Sequence, residues 1–161
     1  MGGYVLLRAL EREPARFRGL ILVDTRSSAD NDAGKLKRVE AMRTLRECGT
    51  TGYAEAFVQG ALGKTTLEER PQIVEAVKEM AAGNDPRGLI GALLAMAART
   101  DTTGILEQID LPTLVVVGAE DTLTPLDLAR ELDARIEGSR LVMIPPLWRR
   151  RRSSAPRSRL S

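Results

Sequence analysis

The 161-residue sequence contains no histidine and a single cysteine, Cys48. Without an imidazole, the chain itself supplies no Ser-His or Cys-His general base and no His-based metal site. One cysteine excludes an intrachain disulfide and a Cys-rich zinc site. No apolar run approaches the roughly 18 residues of a membrane span, and no charged-then-apolar leader opens the chain. The compartment expected by default is the cytoplasm. Hydrophobic residues make up 43% and charged residues 29%, a balance that supports a packed core in about one domain.

The net charge of +2 misleads as a whole-chain number. Six arginines and no acid lie from Arg149 onward, so the remainder holds 18 basic against 22 acidic residues, a net of −4. The basic excess belongs to the tail and says little about partners of the folded part. The run Arg149–Arg152 has only Trp148 for aromatic company, and no nucleic-acid-binding pattern surrounds it. It reads as a charged, disordered tail rather than a nucleic-acid interface. Neither a P-loop nor a dinucleotide fingerprint is present.

Apolar spacing predicts a helix over Met1–Glu13, with Val5, Leu6, Ala9 and Leu10 on one stripe and Pro14 as the stop. Leu20-Ile21-Leu22-Val23 reads as a strand buried on both faces, followed by a polar loop from Ser27 to Gly34. Four helical stripes follow between Lys35 and Arg99, with breaks at Gly49, Gly63, Gly83 and Asp85-Pro86. The fourth, around Leu89, Ile90, Leu93, Leu94 and Ala97, is the most apolar and is expected to be the most buried. A short helical stretch around Ile105–Ile109 leads into a second buried strand, Leu111–Val117. Thr124-Pro125-Leu126-Asp127 reads as a capping box with Pro at the first helical position. Leu128, Leu132 and Ile136 face the core from the helix it opens, and Leu141–Ile144 is a third strand.

Strands alternating with helices imply parallel βα units with right-handed crossovers. The long helical block between the first two strands exceeds a simple crossover and reads as a cap over one end of the sheet. The expected architecture is α/β, with about three parallel strands, flanking helices and a four-helix cap insertion. The core covers 1–32 and 101–145, the cap 33–100, and the Arg-rich tail 146–161.

Four segments in this order resemble the second half of an α/β-hydrolase: Met1-Gly2-Gly3-Tyr4, Leu20–Thr25, Pro112–Asp121 and Leu141–Pro145. The nearest flavour is the capped small-molecule esterases and lactonases that include 3-oxoadipate enol-lactonase. The resemblance covers about residues 1–145. It implies acyl transfer by Ser, acid and His in that chain order, on a small-molecule ester or lactone, with no cofactor, metal, membrane or nucleic acid. Met1-Gly2-Gly3 matches the three positions after the family's nucleophilic Ser, so that Ser would stand just before Met1. Gly2 and Gly3 are expected where a tight turn leaves no room for Cβ. The backbone N–H at the Met1 position would face the oxyanion.

Asp121 matches the triad acid, whose task is to accept the His Nδ1–H and stabilise the imidazolium. Asp24 also ends a strand at the same edge and competes for that role; its other reading is a bond to loop N–H groups. Relatives carry the His after Ile-Pro-Gly-x-Gly, whereas this chain keeps Ile144-Pro145 and continues Pro146-Leu147-Trp148-Arg149. An arginine stays protonated and cannot replace the base. A reading-frame shift after Pro145 or a degenerate gene accounts for the change. The implied protein is an inactive fragment of an ester or lactone hydrolase. The alternatives are a binding module that reuses the cap and half-sheet, or a dead haloperoxidase-like or dehalogenase-like relative.

Cys48, beside Arg46 and Glu47 at an expected helix end, reads as structural, since a helix C-terminus raises a thiol pKa. Phe57, Met80, Leu93, Leu94 and Met96 are candidates to line an acyl pocket, against ordinary helix packing for each. Three strands without partners at both edges predict a marginally stable or associating chain. Substrate identity and oligomeric state are not written in these residues.

Overall fold

The computed structural model describes residues 1–146; Leu147–Ser161, including the Arg149–Arg152 run, lie outside the described residues. Three parallel strands form one sheet in the order β1-β2-β3: β1 (Leu20–Val23), β2 (Thr113–Gly118) and β3 (Arg140–Ile144). The register pairs Leu20 with Thr113 and Val116 with Val142, so all three strands end at one edge.

Helix α1 (Gly2–Arg12) precedes β1, and α6 (Leu126–Arg135) links β2 to β3. Both pack on the same face of the sheet. The core there comprises Leu7 and Leu10 from α1, Leu20 and Leu22 from β1, Val115 and Val117 from β2, and Ala129, Leu132 and Ile136 at α6, closed by Leu106 and Ile109. Burying a side chain of this size is worth about 1.5–3 kcal/mol. This one-sided cluster is therefore the main source of cohesion among the strands.

The opposite face departs from the expectation of two-sided burial. Ile21 and Val23 are 65% and 52% exposed, and Ile144 is also exposed. Parallel strands carry apolar residues on both faces because crossover helices normally cover both. Among the described residues, helices cover one.

Between β1 and β2, four helices pack mainly on each other: α2 (Asp32–Ala61), α3 (Lys64–Glu69), α4 (Pro71–Ala82) and α5 (Pro86–Ala97). The two stripes expected on either side of Gly49 run as one element, broken at that residue by φ 67° and ψ −172°. Only glycine adopts such a conformation without strain, so the kink sits where the sequence permits it. The start of α2 lies inside the loop expected over Ser27–Gly34, because Asn31 caps it by accepting from the Gly34 N–H at 2.8 Å. The short α3 has no apolar stripe and went unpredicted.

Helix α5 is not the most buried element. Only Leu93 is buried on it, and Leu94 is exposed, because the principal core forms between α1, α6 and the sheet. Cys48 is exposed next to the Gly49 kink, not packed inside. Among the described residues, no helix is long and apolar enough to cross a membrane.

Candidate functional site at the carboxyl edge of the sheet

Ligands of parallel sheets bind at the carboxyl ends of strands, where loops leave the sheet. Here that edge gathers three sequence-predicted positions. Asp24 follows β1 directly, Asp121 follows β2 by three residues, and Met1 caps α1 beside the end of β1.

The placement of α1 depends on Gly3. A Cβ at this position would lie 2.2 Å from Thr25 Oγ1 and 2.6 Å from Thr25 Cβ. The helix thus approaches the β1 loop more closely than any side chain allows. Gly2 differs from the expectation, since a Cβ there would meet nothing within 4 Å. Of these two glycines, only Gly3 answers to a close approach. The Met1 carbonyl accepts from the Tyr4 and Val5 N–H groups, which places Met1 at the start of the helix.

Asp121 sits in a tight Asx turn. Its Oδ1 accepts from the Leu123 N–H at 2.7 Å and the Thr124 N–H at 2.9 Å, and its Oδ2 accepts from the Thr124 hydroxyl. Burial works to raise its pKa, but these donors outweigh burial and hold the carboxyl below the usual range. The neighbouring Asp24 side chain adds a further hydrogen bond in the same direction, so the Asp121 carboxylate is surrounded by donors from its own turn and from the end of β1.

The same bonds overturn the expected capping box. Thr124 is buried and its hydroxyl goes to Asp121; α6 has Pro125 at its N-cap and no side-chain cap. The Asp-x-Leu-Thr spacing carries the signal of an Asx turn, which competes with a cap for the same threonine.

Asp24 accepts from the Gly118 N–H at 3.0 Å, tying the end of β1 to the end of β2, and its backbone stands at φ 42°. Asp and Asn tolerate this left-handed region better than most residues. Burial, followed by the negative charge of Asp121, raises the Asp24 pKa against the Gly118 donor. The two environments push the pair apart: Asp121 remains the anion while Asp24 takes a proton first as pH falls.

Residues flanking Asp121 reach into the helical block. Glu120 accepts from the Thr65 N–H at 2.9 Å and from the Thr65 hydroxyl, and the Thr122 hydroxyl donates to the Gly60 carbonyl at 3.1 Å. Gly63 lies so close that a Cβ would fall 2.8 Å from the Glu120 Cβ. Sequence reasoning took Gly63 only as a helix break and foresaw none of these contacts, because they span 55 and 62 positions.

A second polar cluster ties both ends of the helical block to the sheet loops. Asp30, 4% exposed, accepts from Arg26, from Arg38 Nε at 3.0 Å and from Arg99 Nη2 at 3.1 Å. Burial would raise its pKa, but the three guanidiniums win and hold it low. The Arg99 guanidinium also lies 3.9 Å from the centre of the Tyr4 ring. Thr102 donates from its N–H and hydroxyl to the Ser27 carbonyl, adding neutral bonds to the same junction.

A groove of about 750 Å³ runs between α1 and the end of α5, lined by Met1, Val5, Phe17, Met96 and Arg99 among others. Asp24 and Asp121 do not line it. Of the five residues expected around an acyl pocket, only Met96 lines this groove. Phe57, Met80 and Leu94 are exposed, and Leu93 is buried in helix packing.

Residues 1–141 match the family model described as the Ndr family. The chain is 32% identical over 149 residues to a pimeloyl-[acyl-carrier protein] methyl ester esterase of Neisseria meningitidis, covering 89% of this chain and 47% of the relative. It is 28% identical over 115 residues to 3-oxoadipate enol-lactonase 2 of Acinetobacter baylyi, covering 69% and 40% respectively. A thermophilic esterase from Thermogutta terrifontis superposes with a TM-score of 0.82 at 32% identity, covering 89% of this chain and 53% of that one. The chain spans about half the length of these relatives. On the match over residues 1–141 and the parallel half-sheet with its flanking helices, the chain belongs to the Ndr family and is built on the α/β-hydrolase fold.

Proposed function

We propose that this chain carries the acid-and-cap half of an ester- or lactone-cleaving site, with Asp121 as the triad acid and the Met1 backbone position on the oxyanion side. One observation supports this most: the Asp121 carboxylate stands at the carboxyl end of the central strand and is held ionised by Leu123 and Thr124. An acid of this kind accepts the imidazole Nδ1–H, selects the tautomer and stabilises the imidazolium that forms as the nucleophile is deprotonated. In this reading the imidazole N–H takes the place at Asp121 that the Asp24 side chain now holds. Asp24 is the less suitable acceptor, since burial and the Asp121 charge work against its ionisation and its Oδ1 already holds Gly118.

Helices α2–α5, residues 33–100 in outline, act in this reading as the cap. They bear on the acid loop through Thr65 and Gly60. A cap that closes over such a site excludes water and shapes the acyl or lactone ring that enters. The proposed substrate class is a small uncharged ester or lactone carbonyl, and the reaction requires no cofactor.

The 161 residues contain no histidine, so they supply no imidazole base for a triad. The purified chain should leave p-nitrophenyl acetate at its background rate. Turnover that disappears in Asp121→Asn would overturn this. The acid assignment is tested by a chimera: the upstream half of the Thermogutta terrifontis esterase, residues 1–145 of this chain, then the esterase's own C-terminal segment. Asp121→Asn in the chimera should lower ester turnover by about 10⁴-fold, the cost of losing the acid that orients the base. An active chimera that tolerates Asp121→Asn, or that loses turnover with Asp24→Asn instead, assigns the role elsewhere.

The missing imidazole favours a second reading, a module that binds an ester or lactone without cleaving it. Saturable binding by the purified chain, without product, is its signature.

A further inference from the structure

Asp121 is bracketed. The residue before it is tied to the start of α3 and the residue after it to the end of α2, on either side of the α2–α3 turn. Glu120 takes both donors of Thr65, with N···O at 2.9 Å for the amide. Thr122 donates to the Gly60 carbonyl at 3.1 Å. The turn itself is made for this approach, since Gly63 has no room for a side chain against Glu120. Each tether alone is an ordinary surface bond. Together they grip a three-residue stretch at both ends, and the Asx turn of Asp121 lies inside the grip.

We infer that Glu120 is a positioning residue: it makes the order of the Asp121 turn depend on the seating of the helical block. When the α2–α3 turn is seated, Glu120 and Thr122 are fixed, and the Leu123 and Thr124 N–H groups point at the Asp121 carboxylate. When the turn lifts, both anchors go, and the Asx turn retains its own local bonds, the Asp121 N–H bond to Gly118 at 3.1 Å and the contact with the Asp24 side chain. Coupling of this kind is reciprocal, so a group bound by Asp121 would favour the seated block in equal measure. Opening of the block to admit a substrate would then also loosen the acid, and closure would restore it. The inference rests on the reading of Asp121 as the acid, but its test does not read turnover.

The experiment compares Glu120→Ala with Glu120→Gln in the full chain. Both remove the negative charge beside Asp121. The glutamine carbonyl keeps an acceptor for Thr65, and the alanine does not. Amide exchange at Leu123 and Thr124, and the titration of the Asp121 carboxyl by NMR, are the readouts. The alanine variant should exchange at both amides about tenfold faster than the glutamine variant, as expected for one lost hydrogen bond of ordinary net strength. Its Asp121 midpoint should lie above that of the glutamine variant, which stays close to the parent after the charge change they share. Identical behaviour of the two variants overturns the inference. So does faster exchange confined to Thr65 with Leu123 and Thr124 unchanged, since Glu120 is then a local tether only. If the alanine variant does not fold, Thr122→Val removes the second anchor, with faster exchange at Leu123 and Thr124 expected and an unchanged rate refuting. An inactive chimera beside a positive exchange result would count against the hydrolase reading alone.

Discussion

Asp30→Asn separates a buried electrostatic clamp from the surface ion pairs elsewhere. The Asp30 side chain is fully buried, and its three arginine partners have side chains 23%, 25% and 10% exposed. Removing one member of a buried pair leaves its partner uncompensated and costs about 3–5 kcal/mol. Arg26 and Arg38 can turn partly toward water, whereas Arg99 stays pinned under Tyr4, so the lower end applies, about 3 kcal/mol. With a urea m-value of about 1.5 kcal/mol/M, the unfolding midpoint falls by about 2 M. Asp32→Asn is the control. Its side chain is fully exposed and stands 3.8 Å from Lys35, so the loss is within about 0.5 kcal/mol. The pH dependence follows from the direction of the shift. The Asp30 pKa is lowered by folding, so its stabilisation is present above the ordinary carboxylate range and disappears as pH falls through the lowered value. The difference between parent and Asp30→Asn should therefore be full at pH 7 and shrink in acid. Urea unfolding followed by circular dichroism at several pH values measures it. A midpoint shift no larger than that of Asp32→Asn, or a difference independent of pH, would refute the clamp.

Three further outcomes are expected. Gly3→Ala should destabilise the chain by about 1–3 kcal/mol through the Thr25 clash, with Thr25→Gly recovering most of it, while Gly2→Ala is neutral or slightly favourable in the same thermal melts. Asp24 has a raised pKa, so its ionisation opposes folding as pH rises; Asp24→Asn, which keeps an acceptor for Gly118, should gain stability at pH 7 and lose that advantage in acid. Ile21→Thr with Val23→Thr should reduce concentration-dependent association in sedimentation runs, because these side chains form an uncovered apolar face. A sharp, reversible, concentration-independent melt of the parent would contradict that last expectation.

Much of this architecture is local and was legible in the residues. Leu20–Val23 forms its strand over the expected residues, and Gly49 and Gly83 interrupt helices where expected, because chain punctuation acts over a few residues. The tight approach of α1 was foreseeable at Gly3 but not distinguishable from Gly2, since only the position of Thr25 separates them. Thr124 shows the limit most clearly. Its sequence context fits a helix cap and an Asx turn equally, and burial beside Asp121 selected the turn. Leu94 belongs to an apolar stripe and still lies outward, and Cys48, expected to be structural, is exposed, because which side of a helix meets a partner is set by the packing around it.

The sequence by itself determined the βα alternation, the acidic residues after two strands and the absence of an imidazole among its 161 residues. Each depends on composition or on spacing of a few residues. Tertiary structure alone decided which of two aspartates is the stronger acid, that three arginines converge on Asp30, and that the turn near Thr65 grips the loop of Asp121. Those outcomes depend on burial and on contacts between residues tens of positions apart, quantities that no local pattern encodes.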